Sequence, residues 1–163
     1  MEAVTKGEYR THRTFHVIDI ENLIGEQHAL PIDSAFAPIY RRVTGASPED
    51  LLLVGADHRH AFGLRLAFPS AQVVIGRGTD GADDALIHSV DLRTVARGHD
   101  TIVIATGDHR FAGLACSARM VGLEVVVLSR PRGLSRMLAS QADRVLEFPS
   151  IDWSLPFDLT TAA

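Results

Sequence analysis

The sequence predicts an open, doubly wound α/β domain, a parallel sheet with helices on both faces. Three observations predict it. Short runs rich in Val, Ile and Leu recur along the chain, segments with helical spacing of apolar residues separate them, and Gly- or Pro-containing breaks divide the two. The runs are nearly continuous in apolar residues rather than alternating, as in strands covered on both sides.

The first strand is predicted over residues 15–20, where Phe15-His16-Val17-Ile18 runs into a polar group, Asp19, Glu21 and Asn22. A helical pattern over residues 33–43 follows. The second strand, 51–55, leads into a helix over 58–67 that stops at Phe68-Pro69, where proline cannot continue a helix. The third strand, 72–75, ends in a glycine-rich turn containing Gly76, Gly78 and Gly81. One helix is expected over 83–97, opened by acids that suit the helix dipole and closed by Gly98. The fourth strand, 101–105, turns through Thr106-Gly107 into a helix over 110–120 ended by Gly122. A fifth strand over 123–128, a helix over 134–141 and a weaker sixth strand over 144–148 complete the pattern. No internal repeat, linker or low-complexity tract interrupts it, so residues 1–163 read as one domain with its core at about 15–148. The tail 149–163 carries Trp153, Leu155, Phe157 and Leu159, which would pack on the domain or on a second copy in a homo-oligomer.

The bulk composition bounds the function. Hydrophobic content of 46% and 22% charged residues are those of a soluble globular protein, and the net charge of −4 argues against a nucleic-acid binder acting through bulk positive charge. Lys6 is the only lysine and arginine supplies the remaining cations. Cys116 stands alone, so no internal disulfide forms. Its small neighbours fit a residue on a packed helix face better than a catalytic thiol. No apolar stretch reaches the length of a membrane span and the polar segment from Met1 to Arg13 has no signal-peptide core, so a cytoplasmic protein with no membrane partner is expected.

The chemistry sits where apolar runs break. A carboxylate at the end of a buried strand is costly to desolvate unless it meets a cation or donors. Asp19, the pair Asp83 and Asp84, and Asp108 each occupy such a place. In a sheet of order 3-2-1-4-5 the first and fourth strands are neighbours, which puts Asp19 and Asp108 in one crevice beyond the strand ends. Glu21 would point with Asp19 if the strand continued, and Asn22 would turn back into the crevice to orient a phosphate or a water. Thr79 or Asp80 would cap the helix that carries Asp83 and Asp84. Successive helix positions diverge by about 100°, so those two acids cannot both face a metal equally. Asp91 could share the face of Asp84, though a solvated acid accounts for it as well. Convergent carboxylates of this kind suit a hard divalent cation, Mg²⁺ or Mn²⁺, and metal-assisted phosphodiester chemistry.

The motifs VIDIENL, GADDALI and ATGDHRFAGLA, in this order and followed by GLEVVVLSRP, resemble the NYN domains of the PIN-like nuclease superfamily. The resemblance spans roughly Phe15 to Phe148. It implies a PIN-like parallel sheet with acids gathered at the strand ends and, from characterised members, a metal-dependent ribonuclease acting on RNA. Carried over, Asp19 matches the first metal-binding Asp and Asn22 the nearby Asn. Asp83, with Asp84, matches the acid opening the central helix, and Asp108 the Asp after the fourth strand. The catalytic set implied is therefore Asp19, Asn22, Asp83, Asp84 and Asp108, with the four aspartates as metal ligands. One position departs: the family often reads Gly-Asp-Ser-Asp-Phe in the third motif, and here the second acid is Arg110. Arginine cannot bind a cation but can contact a phosphate, so one metal rather than two, or a module that binds RNA or a protein without cleaving, stays open.

Arg130 and Arg132, after the fifth strand, lie on the same edge as the acids and could position an RNA backbone, with Arg110 as a further phosphate contact, or could simply form a solvated loop. His109 beside Asp108 could donate a proton to a leaving group. His58-Arg59-His60 could reach substrate or simply open an exposed helix, and His88 is a poor ligand for Mg²⁺. A haloacid-dehalogenase-type phosphatase fits less well, since Asp19-Ile20-Glu21 replaces Asp-x-Asp and no lysine lies between the motifs. Gly76 to Gly81 fits Gly-x-Gly-x-x-Gly, but after the third strand and beside acids that would repel a pyrophosphate.

Overall fold

Six strands form one parallel sheet in the order β3-β2-β1-β4-β5-β6: β1 (Thr14–Asp19), β2 (Leu51–Ala56), β3 (Gln72–Ile75), β4 (Thr101–Ala105), β5 (Glu124–Ser129) and β6 (Arg144–Glu147). The computed structural model describes residues 13–25, 35–76 and 81–151, and statements about the structure concern these. Ile18 of β1 is paired with Val54 on one side and Ala105 on the other, so the strand order reverses at β1. The neighbouring ends of β1 and β4 thus open the crevice that such a reversal creates.

Parallel neighbours need crossovers, and helices supply them. They are α1 (Ile20–Ile24), α2 (Ala37–Thr44), α3 (Ala61–Ala67), α4 (Gly81–His88), α5 (Leu92–Gly98), α6 (Ala112–Met120) and α7 (Arg136–Ala139). Residues alternate along each strand between two cores. Ile18, Val54, Val103 and Val126 meet Leu23, Phe36, Tyr40 and Leu64 from the α1–α3 side. Val17, Leu53, Ile104 and Val127 meet Leu86, Val95, Leu114 and Leu138 from the α4–α7 side. Both faces of the sheet are covered, and this is why the strands read as continuous apolar runs. Phe36 fixes α2 on its face by stacking on Tyr40, with centroids 5.6 Å apart, and by a tilted contact with Phe148 at 5.4 Å.

The expected strands are present to within a residue at each end, and the helices differ in instructive ways. β1 does not run on through Ile20. Asp19 caps α1 by accepting the Asn22 N–H at 3.2 Å, so Glu21 belongs to a helix and does not project beside Asp19 as a strand residue would. The single helix expected over 83–97 is two helices, because Asp91 caps α5. Its carboxylate accepts from the backbone N–H of Arg93 and Thr94 and from the Thr94 hydroxyl at 2.7 Å. Asp91 is therefore a cap and not a second acid on the face of Asp84. The last crossover helix is short, Arg136–Ala139, capped by Ser135. Short 3-10 turns, His58–His60 and His109–Phe111, precede α3 and α6. Cys116 is exposed on α6, contrary to the packed position expected for it. Among the described residues no helix is long and apolar enough to cross a membrane. Lys6, Thr79, Asp80, Trp153, Leu155, Phe157 and Leu159 lie outside the described residues.

Candidate active site at the carboxyl edge of the sheet

A cavity of about 380 Å³ opens at the carboxyl ends of the strands, lined by Asp19, Glu21, Asn22, Asp57, Arg59, Gly76, Ala82, Asp83 and Asp108. Each motif reaches it for a local reason. Asp19 is the last residue of β1, buried to 5% exposure, and its second carboxylate oxygen accepts the Thr106 hydroxyl at 2.9 Å. Asn22 lies in the first turn of α1 and its Oδ1 accepts the Gly107 N–H at 2.9 Å, which ties the first motif to the third. Gly107 is confined further: a Cβ there would overlap the Gly133 carbonyl, and its own carbonyl accepts the Ser135 N–H at 2.9 Å. Asp108 then caps the turn into α6 by accepting the Arg110 N–H at 3.0 Å. Gly76 plays the matching part after β3. A Cβ on it would collide with the Ala82 backbone, so only glycine lets the start of α4 approach closely enough to present Asp83.

The electrostatics single out Asp19. Burial, and after it the charge of Asp83, push its carboxyl up to about 7, against the opposing bonds from Thr106 and the Asn22 N–H. Asp83 has an ion-pair neighbour in Arg110, whose Nη1 is 3.8 Å from Oδ2. Arginine thus stands beside one of the cavity's acids.

Sequence reasoning missed one lining residue, Asp57, and left Arg59 between a substrate contact and the start of an exposed helix. Asp57 follows β2 directly, and its backbone N–H donates to Glu21 Oε1 at 2.6 Å. Its carboxyl is held down at about 2 by Arg59, first through the side chain and then through the backbone N–H, both at 2.9 Å. The signal was available, since Asp57 is one more acid just past an apolar run. It stands singly beside His58 and Arg59, unlike the clustered polar groups of the other motifs.

Other residues are placed elsewhere. Asp84 is exposed and does not line the cavity, and its carbonyl is bonded to the ring of His88. Arg130 is exposed, with its guanidinium packed close to Gly25, and Arg132 is exposed at a positive φ of 60° in the turn after β5. His109 is 65% exposed with Nδ1 3.0 Å from Asp108 Oδ1, whereas His60 is buried.

Among the described residues, no three His, Cys, Asp or Glu side chains form a ready-made metal-ligand group. The donors nevertheless fit a hard divalent cation in kind. The acids lining the cavity offer only oxygen, and Asp19 and Asp83 repel each other within it, a repulsion that a bound cation relieves. Asp19 and Asp83 are the pair best suited to hold one, with Asp108 on the adjoining loop.

A model of the NYN domain matches residues 12–152. A crystal structure of a protein of unknown function from Vibrio parahaemolyticus RIMD 2210633 superposes with a TM-score of 0.63 at 15% identity, covering 91% of this chain and 97% of that one. That likeness is one of fold. No curated protein matches the sequence.

Proposed function

We propose that this chain, which belongs to the NYN domain family and so to the PIN-like nuclease superfamily, is a metal-dependent endoribonuclease that hydrolyses RNA phosphodiester bonds with Mg²⁺ or Mn²⁺. The observation that carries the proposal is the shared cavity of Asp19 and Asp83, in which burial and mutual repulsion raise Asp19 to about 7. Two acids that converge in one cavity at a strand-order reversal, one of them buried, are costly in a protein that does not use them.

Asp19 and Asp83 would hold the cation, and Asp108 would contribute from the loop after β4. When bound, such an ion supplies water activation and polarisation of a phosphoryl oxygen. The chain's own residues prepare the rest. The Asn22 carbonyl is engaged by Gly107, so its amide NH₂ is left as the donor toward a phosphate oxygen or a water. Thr106 and the Asn22 N–H fix the two carboxylate oxygens of Asp19, so its orientation is set before substrate arrives. Arg130 and Arg132, on the loop after β5, would meet the RNA backbone outside the cavity. A catalytic role for Asp84 would require its exposed side chain to turn inward.

The test is incubation of purified protein with labelled single-stranded and structured RNAs in Mn²⁺, Mg²⁺ or EDTA, beside Asp19→Asn and Asp108→Asn variants. Metal-dependent cleavage lost in both variants supports the nuclease. One observation favours a second reading, an RNA- or protein-binding module: the Arg110–Asp83 ion pair supplies a built-in cation where a metal would sit. Calorimetric titration with Mn²⁺ separates the two, because a module whose acids are neutralised by Arg110 takes up no metal.

A further inference from the structure

The cavity holds four aspartate and glutamate side chains at Asp19, Glu21, Asp83 and Asp108 besides the Asp57–Arg59 pair. A polyanion approaching such a wall is repelled, and a single divalent ion offsets only part of the charge. Among the cavity-lining residues the cation is Arg59. It is held in a particular way. Its backbone N–H and its Nε both donate to Asp57 Oδ1 at 2.9 Å, and the Asp57 N–H is in turn anchored on Glu21 in α1. The guanidinium is therefore tethered through Nε, while Nη1 and Nη2 make no hydrogen bond among the described residues. The side chain remains 51% exposed. A half-exposed guanidinium with Nε engaged on Asp57, and with Glu21 acting on it only through charge, keeps two terminal nitrogens as the fork of donors that phosphate oxygens accept.

We propose that Arg59 is a backbone-phosphate subsite of this cavity, which takes a phosphate of a single-stranded RNA next to the one held at the acids. Asp57 is its positioning residue. The inference rests on the ribonuclease reading and adds to it the contact that draws RNA toward an acidic floor. A phosphate contact carries no base information, so the subsite contributes affinity at every sequence alike.

Fluorescence anisotropy with a short labelled single-stranded RNA, with Ca²⁺ in place of Mg²⁺ and the RNA checked for integrity afterwards, tests it across a salt series. Loss of one phosphate contact on a single strand lowers the slope of log K against log salt by about 0.7, equivalent to about fivefold weaker binding near 0.1 M salt. Arg59→Gln is expected to show that loss, and Arg59→Lys to keep the slope because the charge remains. Arg93→Gln, on the exposed surface of α5, is expected to bind as wild type does. Thermal melting checks that each variant is folded. An unchanged slope in Arg59→Gln, or an equal loss in Arg93→Gln, overturns the subsite while leaving the nuclease standing. Wild-type protein that binds no RNA at all overturns both.

Discussion

Two buried aspartates at opposite edges of the same sheet behave in opposite ways. Asp19, at the carboxyl edge, is 5% exposed, and Asp50, at the amino edge before β2, is 9% exposed. Burial pushes both carboxyls up. For Asp50 the push is outweighed by the Ser47 N–H at 2.8 Å, the Thr14 N–H at 3.1 Å and His16, whose Nε2 is 3.5 Å away, so its carboxyl lies below the ordinary range. Asp19 also has two donors, yet the charge of Asp83 adds to its desolvation and the carboxyl rises to about 7. Burial alone therefore does not set the state of an acid here. Whether its neighbours are donors or other acids decides it, and the contrast separates a carboxylate whose charge the fold satisfies from one whose charge it opposes.

The largest expected effect breaks the contrast at its functional end. Asp19→Asn should lower metal-dependent RNA cleavage by about a thousandfold in single-turnover assays, of the size seen when an electrostatic group at a reacting centre is removed. Asp50→Asn should cleave normally per folded molecule. The next effect breaks the structural end. Asp50→Ala leaves the Thr14 and Ser47 N–H groups without their acceptor, at a cost of about 3 kcal/mol in urea unfolding. Equal stability in that variant would show that the amino-edge acid holds nothing.

Acidity sharpens the same comparison. With a folded value near 7 against an ordinary 3.8, Asp19 binds a proton in the folded chain before the unfolded chain does. Its contribution to stability is thus present below the ordinary value and lost as pH rises through about 7. Asp50 has the reverse sign, its contribution being lost as pH falls through its lowered folded value. His16, buried and held below 6.5 chiefly by desolvation, also destabilises the fold as pH drops, because the unfolded chain then takes the proton first. Metal-free wild type should consequently gain about 3 kcal/mol on Asp19→Asn between about pH 8 and about pH 5. Parallel stability curves would remove the raised Asp19 from the account. The smallest effect concerns neighbours in sequence: Asp84→Asn should change cleavage by less than about twofold, as exposed residues away from a site usually do, whereas Asp83→Asn should abolish it.

The strands were legible because both faces of the sheet are covered, which leaves runs such as Ile102-Val103-Ile104 with no polar interruption. Asp19, Asp83 and Asp108 could be assigned to one edge because their strands or turns end there. The break at Asp91 was obscured by Val90, Leu92 and Val95, which continue the helical spacing across it, although Asp91 and Thr94 stand at capping distance. The onset of α1 was hidden because Ile20 prolongs a β-branched run. Pairings such as Asp57 with Glu21, or Asp50 with Thr14, join residues 36 apart and leave no local trace. Arg110 was read as a departure from a motif, but its distance to Asp83 belongs to the folded chain alone.

The bond from the Gly107 N–H to Asn22 joins residues 85 apart, and that from Thr106 to Asp19 spans 87. β1 must therefore wait for β4 before its site exists, and long-range parallel pairing of this kind forms slowly. During synthesis on the ribosome, the first hundred residues emerge with Asp19 already present but with nothing to orient Asn22. A nascent chain at that stage has Asp19 and Asp83 but neither Asp108 nor an assembled site. The pocket takes shape only after the centre of the sheet has closed, so the order of translation itself delays its assembly until β4 and the turn after it have been made.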